Sequence, residues 1–214
     1  FWNEAFDLMG VKAPFSSLTS YFSGPFVNFT VMALIVIGGI GFLTWEDIKN
    51  NKLHFRKYRR QSKVILTVTG ILIILPALYF CFFEYQSLPL GERILTSLFQ
   101  SVTPRTAGFN TTDLTAFSET GQMLIILLML VGGSPGSTAG GMKTTTFAVL
   151  LANAFATFRR QDDAHFFRRR IESGTIKNAA TIAMMYFILF FAGATAISVA
   201  EGLPLSVCLY ETAS

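Results

Sequence analysis

The sequence predicts an all-α polytopic membrane protein, built from repeated units of span, re-entrant pore helix and span, in which one helix is broken. Three observations lead to this fold class: few charges, long apolar runs between basic segments, and a glycine-rich interruption of one apolar segment. Of the 214 residues, 51% are hydrophobic and only 14% are charged, whereas soluble domains carry roughly 25% charged residues. This composition excludes an ordinary water-soluble globule.

Four uncharged apolar runs are the candidate membrane-crossing elements, and they lie at positions 27–45, 64–83, 122–131 and 178–200. A helix needs about 20 such residues to cross the ~30 Å hydrocarbon layer of a bilayer. The first, second and fourth runs reach this length. We therefore expect each of these three to form one continuous span.

Two short segments hold most of the positive charge. Of the 17 Lys and Arg residues, 13 lie at positions 49–63 and 159–177. Short basic loops between membrane helices mark the cytoplasmic face, so both segments are predicted to be cytoplasmic. Basic clusters also bind nucleic acids, but the apolar runs beside them argue against that function, and we expect no nucleic-acid partner. Anionic lipid or a partner protein is the expected contact.

The stretch 120–158 must supply one membrane crossing, because an even number of crossings separates two loops on the same side and 64–83 provides only one. As one straight helix it would be about 58 Å long, far more than the membrane core. Glycines and a proline interrupt it at 132–141, and they disfavour continuous helix. Non-helical backbone survives at that depth only inside protein or beside water. We therefore predict one broken crossing next to an aqueous path.

A half-length helical pattern at 91–103 is followed by a turn-prone segment at 104–112. The helix is too short to span, and both of its ends must lie on one side of the membrane. A re-entrant helix that dips into the membrane and returns as extended chain satisfies both constraints. A surface amphipathic helix with an ordinary loop is the alternative.

This unit recurs along the chain. Positions 98–103 align with 209–214, and positions 107–110 align with 4–7. The repeat is roughly 105 to 115 residues long, which is the kind of internal period that marks a repeated architecture. On this register the sequence begins inside one unit, contains one complete unit and stops inside a third, so we expect it to be a piece of a longer protein.

A repeated glycine-bearing loop after a short helix has a specific chemical meaning. Rings of backbone carbonyls can replace the hydration shell of a cation when several loops converge on one axis. Glycine suits such a loop because it adopts backbone angles that a side chain obstructs. Residues 106–109, which we call the filter loop, have this character: Thr106, Ala107, Gly108 and Phe109.

Three motifs resemble the Trk/Ktr/HKT superfamily of potassium uptake proteins, and most closely the bacterial Ktr-type membrane subunit. They are LFQSVTPRTAGFN at 98–110, GGSPGSTAGGMKTTTF at 132–147 and, more loosely, GGIGFLTWEDI at 38–48. The resemblance covers essentially the whole chain. It implies four non-identical repeats around one pore, and a transporter in place of an enzyme.

The resemblance assigns roles to individual residues. Thr106, Ala107 and Gly108 would coordinate potassium through their backbone carbonyls in the third repeat, and potassium is the only ion or cofactor implied. Residues 133–143, which we call the gate loop, would control conduction beneath the filter. The gate residues are Gly133, Ser134, Pro135, Gly136, Ser137, Thr138, Ala139, Gly140, Gly141 and Lys143.

The second-repeat filter departs from the family pattern. The family has Asn-Ala-Gly-Phe there, whereas this chain has Asn3, Glu4, Ala5 and Phe6. Altered selectivity, a damaged gene and a register error at the edge of the chain are three explanations that the sequence leaves open. A sodium-permeable homologue and a non-conducting membrane scaffold are therefore the alternatives to potassium transport.

Two basic side chains lie close to these loops. A lysine at membrane depth is costly unless it faces water or accepting oxygens, so we expect Lys143 to donate to the carbonyls of Gly140 or Gly141, or to the neighbouring threonine hydroxyls. This charge beneath a cation path suits a gate, and snorkelling to the cytoplasmic edge is the alternative. We expect Arg105 to pair with an acid such as Asp113.

The predicted organisation has five parts: the end of the second repeat at 1–48, a basic loop at 49–63, the complete third repeat at 64–158, a second basic loop at 159–177 and the start of the fourth repeat at 178–214. By resemblance, the intact protein would lie in the bacterial plasma membrane. It would form a homodimer and bind a cytoplasmic ring of nucleotide-binding regulatory subunits.

Overall fold

The structure of the chain is a computed structural model that describes residues 17–18, 21–52, 54–112, 117–161, 163–167 and 169–214. The predicted filter residues Asn3, Glu4 and Ala5 lie outside the described residues. Within these ranges the chain forms eight α-helices and one small hairpin. The helices are α1 (Pro25–Ile40), α2 (Phe42–Asn51), α3 (Arg60–Tyr79), α4 (Leu90–Val102), α5 (Glu119–Leu130), α6 (Thr144–Phe158), α7 (Ser173–Glu201) and α8 (Leu205–Ala213).

Two of the described helical segments are each long and apolar enough to cross a membrane, and they are Arg60–Glu84 and Ser173–Glu201. Both confirm apolar runs predicted as spans. Helix α7 exposes large apolar side chains such as Leu189 and Val199, while its buried positions are mostly alanines. Apolar residues on all sides of a helix are typical of a segment that lies among lipid and other helices.

The first predicted span, 27–45, is wrong as a continuous helix. Helices α1 and α2 meet at Gly41 and are bent by 101°. Gly41 has φ +90°, a backbone angle that side-chain-bearing residues rarely adopt. The indole nitrogen of Trp45 donates to the carbonyl of Ile37 across the bend (2.9 Å). With the bent pair counted as one span, three segments in the described part of the chain are long and apolar enough to cross a membrane, and α5 and α6 are shorter apolar helices.

Helix α3 ends in a π-helical turn, Phe80–Glu84, in which the amide of Tyr85 donates to the carbonyl of Phe80 (3.0 Å). Pro76 lies inside the helix just before this turn, and a proline removes one helical hydrogen bond. Phe80 is fully buried and packs edge-on against Phe117. The turn thus brings the end of α3 against the segment that leads into α5.

The short helix predicted at 91–103 is confirmed as α4. It buries Leu95, Phe99 and Val102, which pack in one cluster with Met32 of α1. Most of its last two turns are buried, so α4 lies inside the protein. The alternative of a surface amphipathic helix is therefore wrong.

The predicted interruption of the stretch 120–158 is also confirmed. Helix α5 ends at Leu130, helix α6 begins at Thr144, and the residues between them are not helical. Ser118 caps α5 by accepting a hydrogen bond from the amide of Gly121 (3.0 Å). The carboxylate of Glu84 in turn accepts from the amide and hydroxyl of Ser118, which joins the ends of α3 and α5.

Parts of both basic segments form regular secondary structure, where the sequence predicted loops. Helix α2 continues to Asn51, a 3₁₀ turn covers Phe55–Lys57 and α3 begins at Arg60. The second segment contains two-residue strands, β1 (His165–Phe166) and β2 (Arg169–Arg170), which pair antiparallel. The helices therefore extend further into the predicted loops than the apolar runs alone indicated, because the apolar pattern does not mark where a helix ends.

The repeat is visible in the order of the helices. A long helix is followed by a short one twice, first in α3 and α4 and then in α7 and α8. Each short helix begins directly after a proline, Pro89 and Pro204, with nearly the same backbone angles. Positions 209–214, which align with 98–103, thus lie at the end of the second short helix.

Candidate functional site

The filter loop follows α4 as a tight turn that opens into extended chain. Thr106 has φ +61° and Gly108 has φ +73°. For a β-branched residue such as Thr106 this angle is a true outlier, and such outliers persist only where the surroundings hold them. The side chain of Thr106 and residue Gly108 are exposed. The loop therefore presents a strained, accessible backbone.

Hydrogen bonds from two directions hold the chain just after the filter loop. The hydroxyl of Thr103, in the last turn of α4, donates to the carbonyl of Phe109. The amide of Asn110 donates to the hydroxyl of Ser17 (3.1 Å), and the amide of Leu18 donates to the carbonyl of Asn110 (2.8 Å). The segment before α1 thus pairs with the far end of the loop.

A buried polar chain lies behind the loop. The amide nitrogen of Gln100 donates to the hydroxyl of Thr112 (2.7 Å), which also pairs with the phenol of Tyr85 (2.9 Å). Burial raises the pKa of Tyr85 well above its usual value, more than the hydrogen bond to Thr112 lowers it. Gln100 itself is fully buried, whereas Tyr85 and Thr112 are half-buried, so this chain connects α4 to the extended segment after the filter loop.

Arg105 points away from solvent, with only 6% of its surface exposed. Its Nη2 atom lies 3.4 Å from the hydroxyl of Thr69 on α3, and its Nε atom has no hydrogen-bond partner among the described residues. Asp113, the predicted partner, lies outside the described residues, so that pairing stays a prediction.

The gate loop folds back on itself. Val131 and Met142 form an isolated parallel bridge, in which the amide of Gly132 donates to the carbonyl of Met142 (3.0 Å) and the amide of Met142 donates to the carbonyl of Leu130 (3.2 Å). A Cβ on Gly132 would lie 1.9 Å from the carbonyl oxygen of Gly140. The two arms of the loop are therefore too close for any side chain at this point.

Polar side chains also hold the gate loop. The hydroxyls of Ser134 and Thr144 lie 3.1 Å apart and are completely buried. The ammonium of Lys143 donates to the carbonyl of Ala139 (2.7 Å). The acceptors predicted for Lys143 are therefore wrong. Lys143 lies just before the first residue of α6, and its side chain extends back to Ala139 in the gate loop.

The gate loop is docked into the break between α1 and α2, which the sequence did not predict. The amides of Ser134 and Thr138 donate to the carbonyls of Gly39 (2.9 Å) and Gly38 (3.3 Å) at the end of α1. The amide of Phe42, the first of α2, donates to the carbonyl of Gly136 (3.1 Å). Helix ends carry backbone groups without partners inside the helix. The gate loop supplies partners for the last carbonyls of α1 and for the first amide of α2. The only sequence signal was the glycine-rich motif at 38–41.

The filter and gate loops line one cavity of about 400 Å³. The two loops approach each other there, since a Cβ on Gly140 would lie 3.9 Å from the methyl carbon of Thr106. Helices α7 and α8 contribute the opposite wall, with Tyr186, Tyr210 and Thr212. The cavity thus joins the complete repeat to the beginning of the next one.

The chemistry of this site is that of backbone and hydroxyl oxygens. No group of three or more His, Cys, Asp or Glu that could hold a metal ion occurs among the residues that the structure describes. Neutral oxygens on an open backbone suit weak, exchangeable contacts with a monovalent ion better than tight binding of a transition metal. The arrangement can therefore accommodate an ion in transit.

Comparison with known proteins agrees with this chemistry. A family model described as a cation transport protein, TrkH, matches residues 4–213. The chain is 36% identical over 209 residues to the potassium/sodium uptake protein NtpJ of Enterococcus hirae, covering 95% of this chain and 45% of that protein. It is 33% identical over 217 residues to the Ktr system potassium uptake protein B of Bacillus subtilis, covering 99% and 48%. The chain thus spans about half the length of these relatives.

The fold also has a solved counterpart. The crystal structure of the potassium transporter TrkH from Vibrio parahaemolyticus superposes with a TM-score of 0.71 at 17% identity, over 86% of this chain and 41% of that one. At this identity the likeness concerns the fold alone. The family match over residues 4–213 and the apolar helices agree, and the chain belongs to the TrkH family of cation transport proteins.

Proposed function

We propose that the chain forms part of a pathway for potassium uptake across the bacterial plasma membrane. The observation that carries this proposal is the single cavity shared by the filter and gate loops. In this mechanism potassium sheds water at the carbonyls of Thr106, Ala107 and Gly108, enters the cavity and passes the gate loop into the cytoplasm.

The filter residues suit this role because of their backbone. Thr106 and Gly108 both have positive φ, so the backbone of the loop is neither helix nor strand, and converging loops from other repeats would complete the coordination. Phe109 anchors the loop through its carbonyl. The gate loop suits its role because it is non-helical, borders the cavity at Gly140 and Gly141 and carries a positive charge at Lys143, which would oppose cation passage.

The remaining parts of the proposal concern the intact protein. One relative is named potassium uptake protein B of a Ktr system. This name supports a transporter that works with other subunits, and we propose that these are cytoplasmic regulatory subunits. We propose that the intact protein is a homodimer in a lipid membrane, that the basic segments 49–63 and 159–177 face the cytoplasm, and that it transports ions without catalysing a reaction.

Complementation of a bacterium that lacks potassium uptake tests the proposal. Expression of the full-length gene should restore growth at low potassium, and Gly108→Ala should abolish it because alanine is strained at φ +73°. Gly91→Ala is the matched control, since a Cβ there meets nothing within 4 Å, and it should grow normally.

Failure of the unaltered gene to rescue growth would overturn the proposal and favour a non-conducting scaffold. Sodium permeation is the specific alternative, because one relative is named a potassium/sodium uptake protein and Ala5 replaces the family glycine. Rescue that external sodium inhibits, with measurable sodium entry, would favour that alternative.

A further inference from the structure

Asp47 is a buried carboxylate in the middle of α2. Only 4% of its surface is exposed. Its Oδ2 atom accepts hydrogen bonds from the hydroxyl of Ser62 (2.6 Å) and the backbone amide of Arg59 (2.9 Å). Its Oδ1 atom lies 3.5 Å from the Nε atom of Arg59. One carboxylate therefore fixes α2 to the start of α3.

The neighbouring residue strengthens this junction. Glu46 lies 3.1 Å from the Nη2 atom of Arg59, so one guanidinium contacts two successive acids of α2. Exposed ion pairs contribute little, and the Glu46 pair is half exposed. The buried Asp47 differs, because removing it leaves a buried hydroxyl and a backbone amide without their acceptor, which is costly.

The beginning of α2 is held by the gate loop. The first amide of the helix donates to the carbonyl of Gly136 (3.1 Å), and a Cβ on Gly41 would lie 2.6 Å from the carbonyl oxygen of Pro135. The two attachments, at Phe42 and Asp47, lie five residues apart on a helix of ten residues, which is about 7.5 Å along its axis. A short helix held at two points moves as one body.

We propose that α2 is a rigid link through which residues 59–62 of the basic segment 49–63 set the position of the gate loop, and that Asp47 is the positioning residue of this link. The inference rests on the proposed function, since it takes 133–143 to be the gate. A shift of Arg59 and Ser62 would move α2, and α2 would carry the carbonyls of Pro135 and Gly136 with it. The reverse also holds, because energetic coupling between two sites is reciprocal.

The test uses the full-length protein in membranes, in a background without other cysteines, in which Ser137→Cys provides a labelling site in the gate loop. Two quantities are measured: the rate at which a charged, membrane-impermeant thiol reagent modifies that cysteine, and potassium uptake per molecule. Asp47→Asn and Ser62→Ala should change both by roughly 2- to 30-fold, the range seen for substitutions that alter coupling. Asp47→Glu should restore part of the original behaviour.

Asp163→Asn is the matched control. Asp163 also pairs with an arginine of a basic segment, Arg170 (2.8 Å). It lies between the end of α6 and strand β1 of the hairpin. This variant should leave labelling and uptake unchanged. If Asp47→Asn and Ser62→Ala match Asp163→Asn in both quantities, the link does not exist.

The two measurements separate this inference from the function on which it rests. Altered labelling together with unaltered uptake would support the link and contradict the assignment of 133–143 as the gate. Absence of potassium uptake by the unaltered protein would overturn the proposed function, while the labelling rates would still decide whether α2 positions the loop.

Discussion

Gly41 packs directly against Pro135, so closely that a Cβ built on the glycine would lie 2.6 Å from the proline carbonyl oxygen. The two residues are 94 positions apart in the sequence, and their contact joins the break between α1 and α2 to the gate loop. Real Cβ atoms do not approach an oxygen this closely. The position therefore requires glycine for its space as well as for its φ of +90°.

Replacing this glycine should displace the gate loop. Gly41→Ala introduces about 1–3 kcal/mol of backbone strain and a clash with backbone that cannot rotate away. We expect potassium uptake per molecule to change at least several-fold, measured as initial rates normalised to the amount of protein in the membrane. Gly39→Ala is the control, because a Cβ there meets nothing within 4 Å. Equal rates for the two variants would contradict a role for this contact in conduction.

Lys143 should restrain the gate loop through its contact with Ala139. Lys143→Met removes the ammonium that donates to the Ala139 carbonyl at 2.7 Å, and hydrogen bonds from charged groups contribute about 1.5–3 kcal/mol. We expect uptake under conditions that keep the pathway closed to rise about tenfold, measured as rubidium flux into cells.

The control for this experiment is Lys177→Met. Lys177 is exposed on α7 and lies outside both the gate loop and the segment that holds α2. Its loss should leave the closed-state flux unchanged. A Lys143→Met variant with the flux of the unaltered protein would remove the lysine from the gate.

Gln100 should maintain the selectivity of the filter loop from behind. Gln100→Leu removes the donor to Thr112 (2.7 Å) in a fully buried position. The extended segment after the filter loop therefore loses a hydrogen bond worth about 1 kcal/mol. The preference for potassium over sodium should fall about fivefold, measured by competition in uptake assays. Tyr85→Phe should have a smaller effect in the same direction.

Gln86→Leu serves as the control for Gln100→Leu. Gln86 is exposed, and its side-chain amide bonds the carbonyl of Phe82 in its own turn. The ion preference should not change in this variant. If Gln100→Leu lowers the amount of protein without changing the ion preference, the buried chain is structural and does not tune the filter.

The buried pair of Ser134 and Thr144 should matter for stability. Thr144→Val leaves the Ser134 hydroxyl without its partner at 3.1 Å, which costs about 1–3 kcal/mol for a buried polar group. We expect a lower melting temperature of the purified protein in detergent. Thr145→Val changes the neighbouring, half-buried residue and should leave the melting temperature within error of the original. Identical transitions for both would show that the pair contributes nothing.

Local chemistry was sufficient to predict much of this protein. The apolar runs predicted α3 and α7, the spacing of apolar residues predicted α4, and glycines with Pro135 predicted the break between α5 and α6. These features depend on composition, length and backbone propensity, all of which are readable within a short window of sequence. The resemblance carried by the motifs at 98–110 and 132–147 added the family, which the comparisons confirm.

The break at Gly41 could not be predicted in the same way. Residues 27–45 are as apolar as a continuous span, and glycines inside a helix weaken it without necessarily ending it. The helix ends there because backbone groups of the gate loop satisfy the carbonyls of Gly38 and Gly39. Such bonds join main-chain atoms about a hundred residues apart and leave almost no trace in side-chain identity.

The sequence by itself thus determined the membrane class, the repeated order of helices and the two loops that carry the proposed chemistry. Only the tertiary structure decided that both loops share one cavity, that Lys143 bonds Ala139, and that Asp47 fixes α2. The physical reason is that propensity and hydrophobicity act locally, whereas the partners of buried polar groups are chosen by the packing of distant segments.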